Sequence, residues 1–475
     1  MPFPYQPDSN VQISRRELLK YSLCGASGMA LASGCQTSVP GPAAQREHPT
    51  IILITLDTTL ADHLGCYGYR RPTSPNIDRL ADDALVYDHA IATGTWTLPS
   101  HASLFTGKFP TSHGAQWDPN GAIRLSDAIS GEVRFTMERV RTIARDESTL
   151  ATLLKANGYT TGAVVGGPYL KKVFGLDKGF DFYDDSNISS INGRLAEDLT
   201  DQALAWLSKP SSQPRFLFLN YFDPHTPLNP PHEFAQKIIP GSAASALQKS
   251  RDPNQGMELE QAIGLYDAEI LYMDHHVGRL FDGLKQQRLY DDAWVIVTAD
   301  HGEELMDHDA WGHGNIPYQG VVHIPMIVKQ PGVRRATGRS QQWIQLTDVL
   351  PMILDHLHIA LPPDVQANRL PHNDHAILIE SRTLEALYNT GHWLSIFQND
   401  KKFIWSSKGN HMLFDLGRDR QERKNLIRTH RQEAKSMQTA MLDYRAALPR
   451  PGTQSDAQQM DAETLKALKG LGYIK

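Results

Sequence analysis

"TIILITLD", residues Thr50–Asp57, decides the fold. A strand with one face in water alternates apolar and polar side chains, but this aliphatic and β-branched run continues until it ends on an acid. Such a run fits a strand buried on both faces, as in a parallel sheet flanked by helices. Asp57 then sits at the strand's carboxyl end. The same form recurs in "FLFLNYFDPH" (Phe216–His225) and "WVIVTADHGEE" (Trp294–Glu304), where an apolar run switches abruptly to Asp, His and Gly. Between these runs lie helix patterns: "SPNIDRLADDA" (Ser74–Ala84), "STLATLLKANGY" (Ser148–Tyr159) and "AIGLYDAEILYMDHHVGRLFDGL" (Ala262–Leu284). Their apolar residues fall at i, i+3, i+4 and i+7. The second opens on Ser148, with Ala151 where a full capping box would carry Glu or Gln. Strands alternating with helices predict an α/β sheet covered on both sides, with ligands gathering beyond the carboxyl ends of the strands.

Outward from this region the pattern changes. From about residue 361, "AILIES" (Ala376–Ser381), "HWLSIF" (His392–Phe397), "KFIW" (Lys402–Trp405) and "HMLFDL" (His411–Leu416) predict a small antiparallel sheet, with a polar helix over 420–448 packed on it. At the other end, "SRRELLK" (Ser14–Lys20) sets paired arginines before "YSLCGASGMALASGC" (Tyr21–Cys35), a run too short and too rich in Gly and Ser for a stable membrane span. It resembles a twin-arginine export signal. "LASGC" also resembles a bacterial lipoprotein cleavage site, with Cys35 as the lipidated residue and Leu31 one place further upstream than usual. "QTSVPGPAAQREHP" (Gln36–Pro49) reads as a linker. The expected division is therefore an export segment and linker over 1–47, a main α/β domain over 48–360 and a subdomain over 361–475.

With 40% hydrophobic and 21% charged residues the 475-residue chain reads as an ordinary soluble globular protein. A net charge of -6 lacks the basic excess of a nucleic-acid binder. Of the three cysteines, Cys24 and Cys35 fall in the N-terminal segment, so Cys66 is expected to form no structural disulfide. Nothing in the sequence sets an oligomeric state. Asp57 after one strand, Asp300 and His301 after another, and Thr97 at a helix start in "TWTLPSHASLFTG" (Thr95–Gly107) make a mixed oxygen and nitrogen set. Such a set suits one divalent cation, Zn or Mn best, with Ca the weaker fit because it wants more oxygens.

The stretch from Leu56 to Gly114, together with "TLATLLKANGYTTGAVV", "YFDPHTPLNPP", "TADHGEELMDHDAWGHG", "HIPMIVKQPG", "TDVLPMILDHL" and "LFDLGRDRQERKNL", resembles the sulfatase family of the alkaline phosphatase superfamily. The resemblance runs from residue 50 to about 430. It implies a three-layer α/β/α sandwich over 48–360, a small α+β C-terminal subdomain completing one wall of the site, and metal-dependent cleavage of a phosphoric or sulfuric ester.

The family's nucleophile is a Cys or Ser oxidised to formylglycine and followed by x-Pro-x-Arg. Here Thr97 takes that position, Pro99 matches and His101 replaces the arginine. A threonine cannot become formylglycine, because its β-carbon carries a methyl group. Resemblance to branches that keep a threonine, such as phosphoethanolamine transferases, implies that the Thr97 hydroxyl ligates the metal and attacks phosphorus directly. The family's Lys-His pair after "GYxTA" is absent, with Gly166 and Pro168 in its place. Its metal-binding Asp-Asp pair is reduced to Asp57-Thr58, which leaves Asp57, Asp300 and His301 as fixed ligands of one metal. His225 and His313 fall where the family contacts the transferred group and the leaving oxygen, so His225 is expected to hold the phosphoryl group and His313 to act as general acid. His101, His113 and His308 are expected behind them.

The expected function is hydrolysis of a small anionic phosphoester, of phosphodiester or phosphonate type, outside the cytoplasm, in the periplasm or on a membrane through lipidated Cys35. Sulfate-ester hydrolysis and phosphoryl transfer are the alternatives, and an inactive binding protein is the remotest of them.

Overall fold

The computed structural model describes residues 48–129, 139–144, 146–250, 256–332, 338–367, 377–382, 390–398 and 400–451. The stretch expected to be an export segment, with Arg15, Arg16 and Cys35, and residues 130–138 and 145 lie outside those residues. The described residues form one compact unit.

A nine-stranded sheet runs through its centre. In chain order its strands are β1 (Ile51–Leu56), β2 (Leu85–Ile91), β3 (Thr160–Val165), β4 (Phe182–Asp184), β5 (Arg215–Tyr221), β6 (Trp294–Thr298), β7 (His323–Ile324), β8 (Met326–Lys329) and β9 (Gly338–Gln345). Their spatial order is β7-β2-β8-β6-β1-β5-β3-β4, with β9 on β2. The aliphatic run Ile51–Leu56 is thus an interior strand of the sheet. It pairs in parallel with β5, Leu56 opposite Tyr221, and with β6, Thr55 opposite Thr298. Strands β3 and β4 extend the parallel half. The sheet is mixed at its other side, where β8 runs antiparallel to both β6 and β2.

Every residue of β1 is buried. Ile51 and Leu53 enter one apolar cluster, and Ile52, Ile54 and Leu56 the other, so the sheet is covered on both faces. Each of these side chains contributes roughly 1.5–3 kcal/mol through its removal from water. The helices include α1 (Pro75–Ala81), α2 (Thr97–Thr106), α3 (Leu150–Ala156), α4 (Ala196–Leu207), α5 (Leu259–Gln286), α6 (Val349–His356) and α7 (Arg431–Ala447). On the first face lies α2, all ten residues of which are buried. Helix α5 (Leu259–Gln286) packs on the second through Leu265, Ile270, Met273 and Val277. Among the described residues no helix is long and apolar enough to cross a membrane.

Local details differ from the expectations. Helix α3 (Leu150–Ala156) is capped by Thr149, not Ser148, and Thr152 returns the reciprocal bond, so a capping box does form one residue later. The charged stretch after residue 420 is turns until α7 (Arg431–Ala447) begins. The C-terminal sheet is present as β10 (Ile377–Arg382), β11 (His392–Gln398), β12 (Lys401–Ser406) and β13 (Met412–Asp415), antiparallel throughout. Its β10 edge fastens the segment ahead of α2: Glu380 N donates to the Thr93 carbonyl at 3.0 Å, and the Ser381 and Thr95 hydroxyls meet at 2.6 Å.

Candidate active site

The registers of β1, β3, β5 and β6 bring their carboxyl ends to one edge, where Asp57, Gly166, Phe222 and Asp300 follow the last paired residues. After β1 the chain reverses through Thr58, which holds φ 53°, a left-handed conformation that is an outlier for a β-branched residue. That turn points the Thr58 N–H at Asp300 Oδ1, 3.4 Å away. It is held from behind by Tyr266, whose hydroxyl donates to the Thr58 carbonyl at 2.7 Å and accepts from Leu60 N at 3.0 Å.

Asp57, Asp300 and His301 are fully buried and place one donor atom each within 4.8 Å of the others. His301 Nδ1 donates to the Gly302 carbonyl at 2.9 Å, so its Nε2 carries a lone pair. That lone pair lies 3.4 Å from Asp300 Oδ2 and 3.5 Å from Thr97 Oγ1. Asp57 Oδ1 and Asp300 Oδ2 have no hydrogen-bond partner. Burial, and then their mutual charge at Asp57, drive both carboxyl pKa values upward, Asp300 to about 7. Burial and the neighbouring His313 drive His301 well down. Orphaned acceptors facing one another in a dry site need a positive charge between them. The donor set fits a divalent cation.

Beneath it, Asn220 makes four bonds. Its Nδ2 donates to Asp57 Oδ2 and to Thr55 Oγ1, each at 3.2 Å, and its Oδ1 accepts from Gly166 N at 3.3 Å and Gly167 N at 2.9 Å. Gly166, at the place of the family lysine, thus contributes backbone to the floor of the site. Asn220 was not foreseen; its only sequence signal is a polar residue inside an apolar strand.

Thr97 is the first residue of α2, with Trp96 as its cap. It is therefore not the cap but lies in the first turn, where backbone N–H groups are unpaired and the helix dipole favours an anion. His101 stands one turn on. Its Nδ1 donates to the Thr97 carbonyl at 2.9 Å and lies 3.5 Å from Asp300 Oδ2, while Nε2 meets Thr55 Oγ1 at 3.0 Å. Burial lowers its pKa to about 4, so it is a neutral substitute for the family's arginine. It touches Thr97 and Asp300, two of the residues around the donor set, from behind. His113 does lie behind, against Ser103 Oγ at 3.1 Å.

The His313 and His301 rings are 4.4 Å apart, and those of His313 and His225 are 5.0 Å apart. Asp57, Thr97, Asp300, His301, His225 and His313 therefore lie together at one place. His313 Nδ1 lies 3.1 Å from Glu303 Oε2, a buried carboxylate that sequence reasoning missed. Burial opposes the charged ring, but Glu303 outweighs it and Asp300 adds, so the His313 pKa is raised. His225 is the opposite case: burial and His313 lower it to about 3. Its Nδ1 donates to the Thr226 carbonyl at 2.6 Å and its ring stacks on Phe222 at 4.4 Å, which leaves Nε2 as an acceptor. Cys66 is half-buried, and the other two cysteines lie outside the described residues.

A sheet of this kind, with cation donors at its carboxyl edge and a hydroxyl at the start of a buried helix, is arranged to hold a divalent cation and an anion side by side. The chain belongs to the sulfatase family of the alkaline phosphatase superfamily, whose Sulfatase pattern matches residues 49–359. The Arylsulfatase of Clostridium perfringens (strain 13 / Type A) is 24% identical over 447 residues, covering 80% of this chain and 90% of that protein. A solved structure of a protein in complex with its substrate D-glucosamine-2-N,6-O-disulfate matches with a TM-score of 0.67 at 17% identity, over 89% of this chain and 98% of that one. The phosphonate monoester hydrolase of Silicibacter pomeroyi matches with a TM-score of 0.64 at 20% identity, over 86% of this chain and 97% of that one. Both structural likenesses concern the fold.

Proposed function

We propose that this chain hydrolyses a small anionic phosphoester, of phosphodiester or phosphonate type, through a covalent intermediate on unmodified Thr97. The observation that carries this reading is Thr97 itself, in the nucleophile's place with its Oγ1 3.5 Å from His301 Nε2. Among the described residues, no lysine or arginine bonds to Thr97, Asp57, Asp300 or His301. That is the charge arrangement expected where a cation, rather than side-chain cations, balances the larger negative charge of a phosphoryl group.

Asp57, Asp300 and His301 would hold the metal, with Thr97 beside them. Bound there, a divalent cation would lower the pKa of the Thr97 hydroxyl and offset charge on a phosphoryl oxygen. Thr97 Oγ1, its proton already given up to solvent, forms the new bond to phosphorus as the bond to the leaving oxygen breaks. His313, held protonated by Glu303, gives that oxygen its proton from Nε2. The neutral His313 then takes a proton from water as the water oxygen bonds to phosphorus and the bond to Thr97 Oγ1 breaks, which releases a phosphomonoester or a phosphonate and restores Thr97. His225, neutral and locked on Phe222, orients the transferred group. The substrate is a small molecule, and nucleic acid is not a partner. The same reading places the mature chain outside the cytoplasm after export through the Arg15–Arg16 segment, tethered where Cys35 is lipidated.

Sulfate-ester hydrolysis is the second reading, favoured by the arylsulfatase relative and by the likeness to a disulfate-bound structure. One experiment separates them. Metal-loaded protein is assayed on matched aryl phosphodiesters, phosphonate esters, phosphomonoesters and sulfates, and the Thr97 peptide is weighed during slow turnover. We expect a phosphorylated Thr97, faster turnover of phosphodiester or phosphonate, and loss of at least 10³-fold in Thr97→Ala. Faster sulfate turnover, or a fully active Thr97→Ala, refutes the proposal.

A further inference from the structure

The hairpin carrying His313 is fastened at its far end to the C-terminal subdomain. Its two short strands pair Glu304 with Gly312 and Leu305 with Trp311, which sets Glu303 and His313 side by side at the base. At the tip, Met306 and Asp309 hold φ values of 75° and 57°. Aspartate takes positive φ readily in a turn, but at Met306 it persists only where surrounding contacts hold it.

His308 makes those contacts. Its Nδ1 lies 3.0 Å from Glu304 Oε2, and its Nε2 lies 3.0 Å from the Gln421 carbonyl of the subdomain. A carboxylate and a carbonyl only accept, so both ring nitrogens donate and the ring is an imidazolium. Burial opposes that charge, but the Glu304 bond and charge outweigh it, with Glu422 adding, and the pKa is raised. The ring also stacks on Tyr318 at 3.7 Å and an interplanar angle of 7°. Beyond it the anchor is rigid: Glu422 accepts from Gln319 N at 2.6 Å and lies 2.7 Å from the fully buried Lys402 Nζ, which also reaches Gln319 Oε1 at 3.3 Å. The groups facing His308 are thus Glu304 on its own hairpin, Tyr318, and Glu422 with Lys402 on the subdomain.

We propose that His308 is a positioning residue, which clamps the hairpin tip to the subdomain at Gln421 and so sets the placement of the His313 Nε2 proton against the leaving oxygen. The inference rests on the reading of His313 as the proton donor. Displacing a reacting group by about 1 Å costs on the order of a hundredfold. An aryl ester whose leaving group departs unaided escapes that cost.

The test compares two esters of the class the enzyme turns over, one releasing 4-nitrophenol and one releasing phenol, in wild type, His308→Phe and His313→Ala. His308→Phe keeps an aromatic ring for Tyr318 and removes both donors. We expect its kcat on the phenyl ester to fall tenfold to a hundredfold, with KM unchanged and less than threefold loss on the nitrophenyl ester. Equal losses on both esters, or none on either, overturn the role of His308. Should His308→Phe not fold, Glu304→Gln is read on the same pair with the same criteria. A His313→Ala variant equally impaired on both esters refutes the proton-donor reading and the positioning role with it, whereas a selective His313→Ala beside a uniform His308→Phe refutes the latter alone.

Discussion

Asn220 offers the sharpest test of how the site is built. Replacing it with alanine strands the N–H groups of Gly166 and Gly167, now bonded at 3.3 and 2.9 Å, in a buried place, and removes the donor to Asp57 Oδ2. An orphaned buried N–H costs about 2 kcal/mol, and with the lost charge-assisted bond at Asp57 the total is roughly 5 kcal/mol. Asn220→Asp separates these contributions. The aspartate still accepts from both glycine amides, but it puts a carboxylate oxygen where an N–H now lies 3.2 Å from Asp57. Without metal this variant also loses several kcal/mol, because like charges share a dry site. With saturating Mn it recovers toward wild type, since the added negative charge strengthens cation binding, whereas Asn220→Ala does not recover. The assay is urea unfolding in EDTA and in Mn, read as the midpoint and the extrapolated free energy. A loss below 1 kcal/mol in Asn220→Ala, or an Asn220→Asp deficit that Mn leaves untouched, refutes the reasoning.

Gly193→Ala should cut activity at least tenfold and lower stability by several kcal/mol, because a Cβ there would lie 2.1 Å from Phe222, the platform of His225, at φ 66°. Gly409→Ala, at φ 83° with nothing within 4 Å, should cost only about 1 kcal/mol, and equal effects in the two variants would dismiss the Phe222 argument. Purified protein should hold about one equivalent of Zn or Mn, with Asp300→Asn reducing that content and chelation abolishing turnover; full metal content in the variant would count against the ligand set. Arg15→Lys with Arg16→Lys should retain the precursor in the cytoplasm, and Cys35→Ala should release a soluble form; unchanged fractionation of either would discard the corresponding export claim.

Much of the site was legible in the chain because strand ends are local features. An unbroken β-branched run followed by an acid can be read without knowing its neighbours, so Asp57, Asp300 and His301 stood out together. A sheet covered by helices on both sides followed from the same runs alternating with helix patterns. Thr97 could be placed at a helix start from Pro99 and the apolar run behind it, but whether it was the cap or the first helical residue depended on the φ and ψ of Trp96. The capping box at Thr149 slipped by one residue for the same reason.

What the sequence could not decide is which side chain supports which, because those choices pass through the sheet register. Asn220 reaches Asp57 across 163 residues only because Leu56 lies opposite Tyr221. His101 rests on Thr55, 46 residues away, because α2 lies along that face. Glu303 looks in sequence like one more acid in a run of two, and a hairpin pairing of Glu304 with Gly312 brings it to His313. The chain thus determined which chemical groups gather at the carboxyl edge, since burial and periodicity act along a strand or helix. Tertiary structure alone decided their protonation and aim, since a lone pair, a lowered histidine pKa or a held proton is set by the atoms that meet it across the fold.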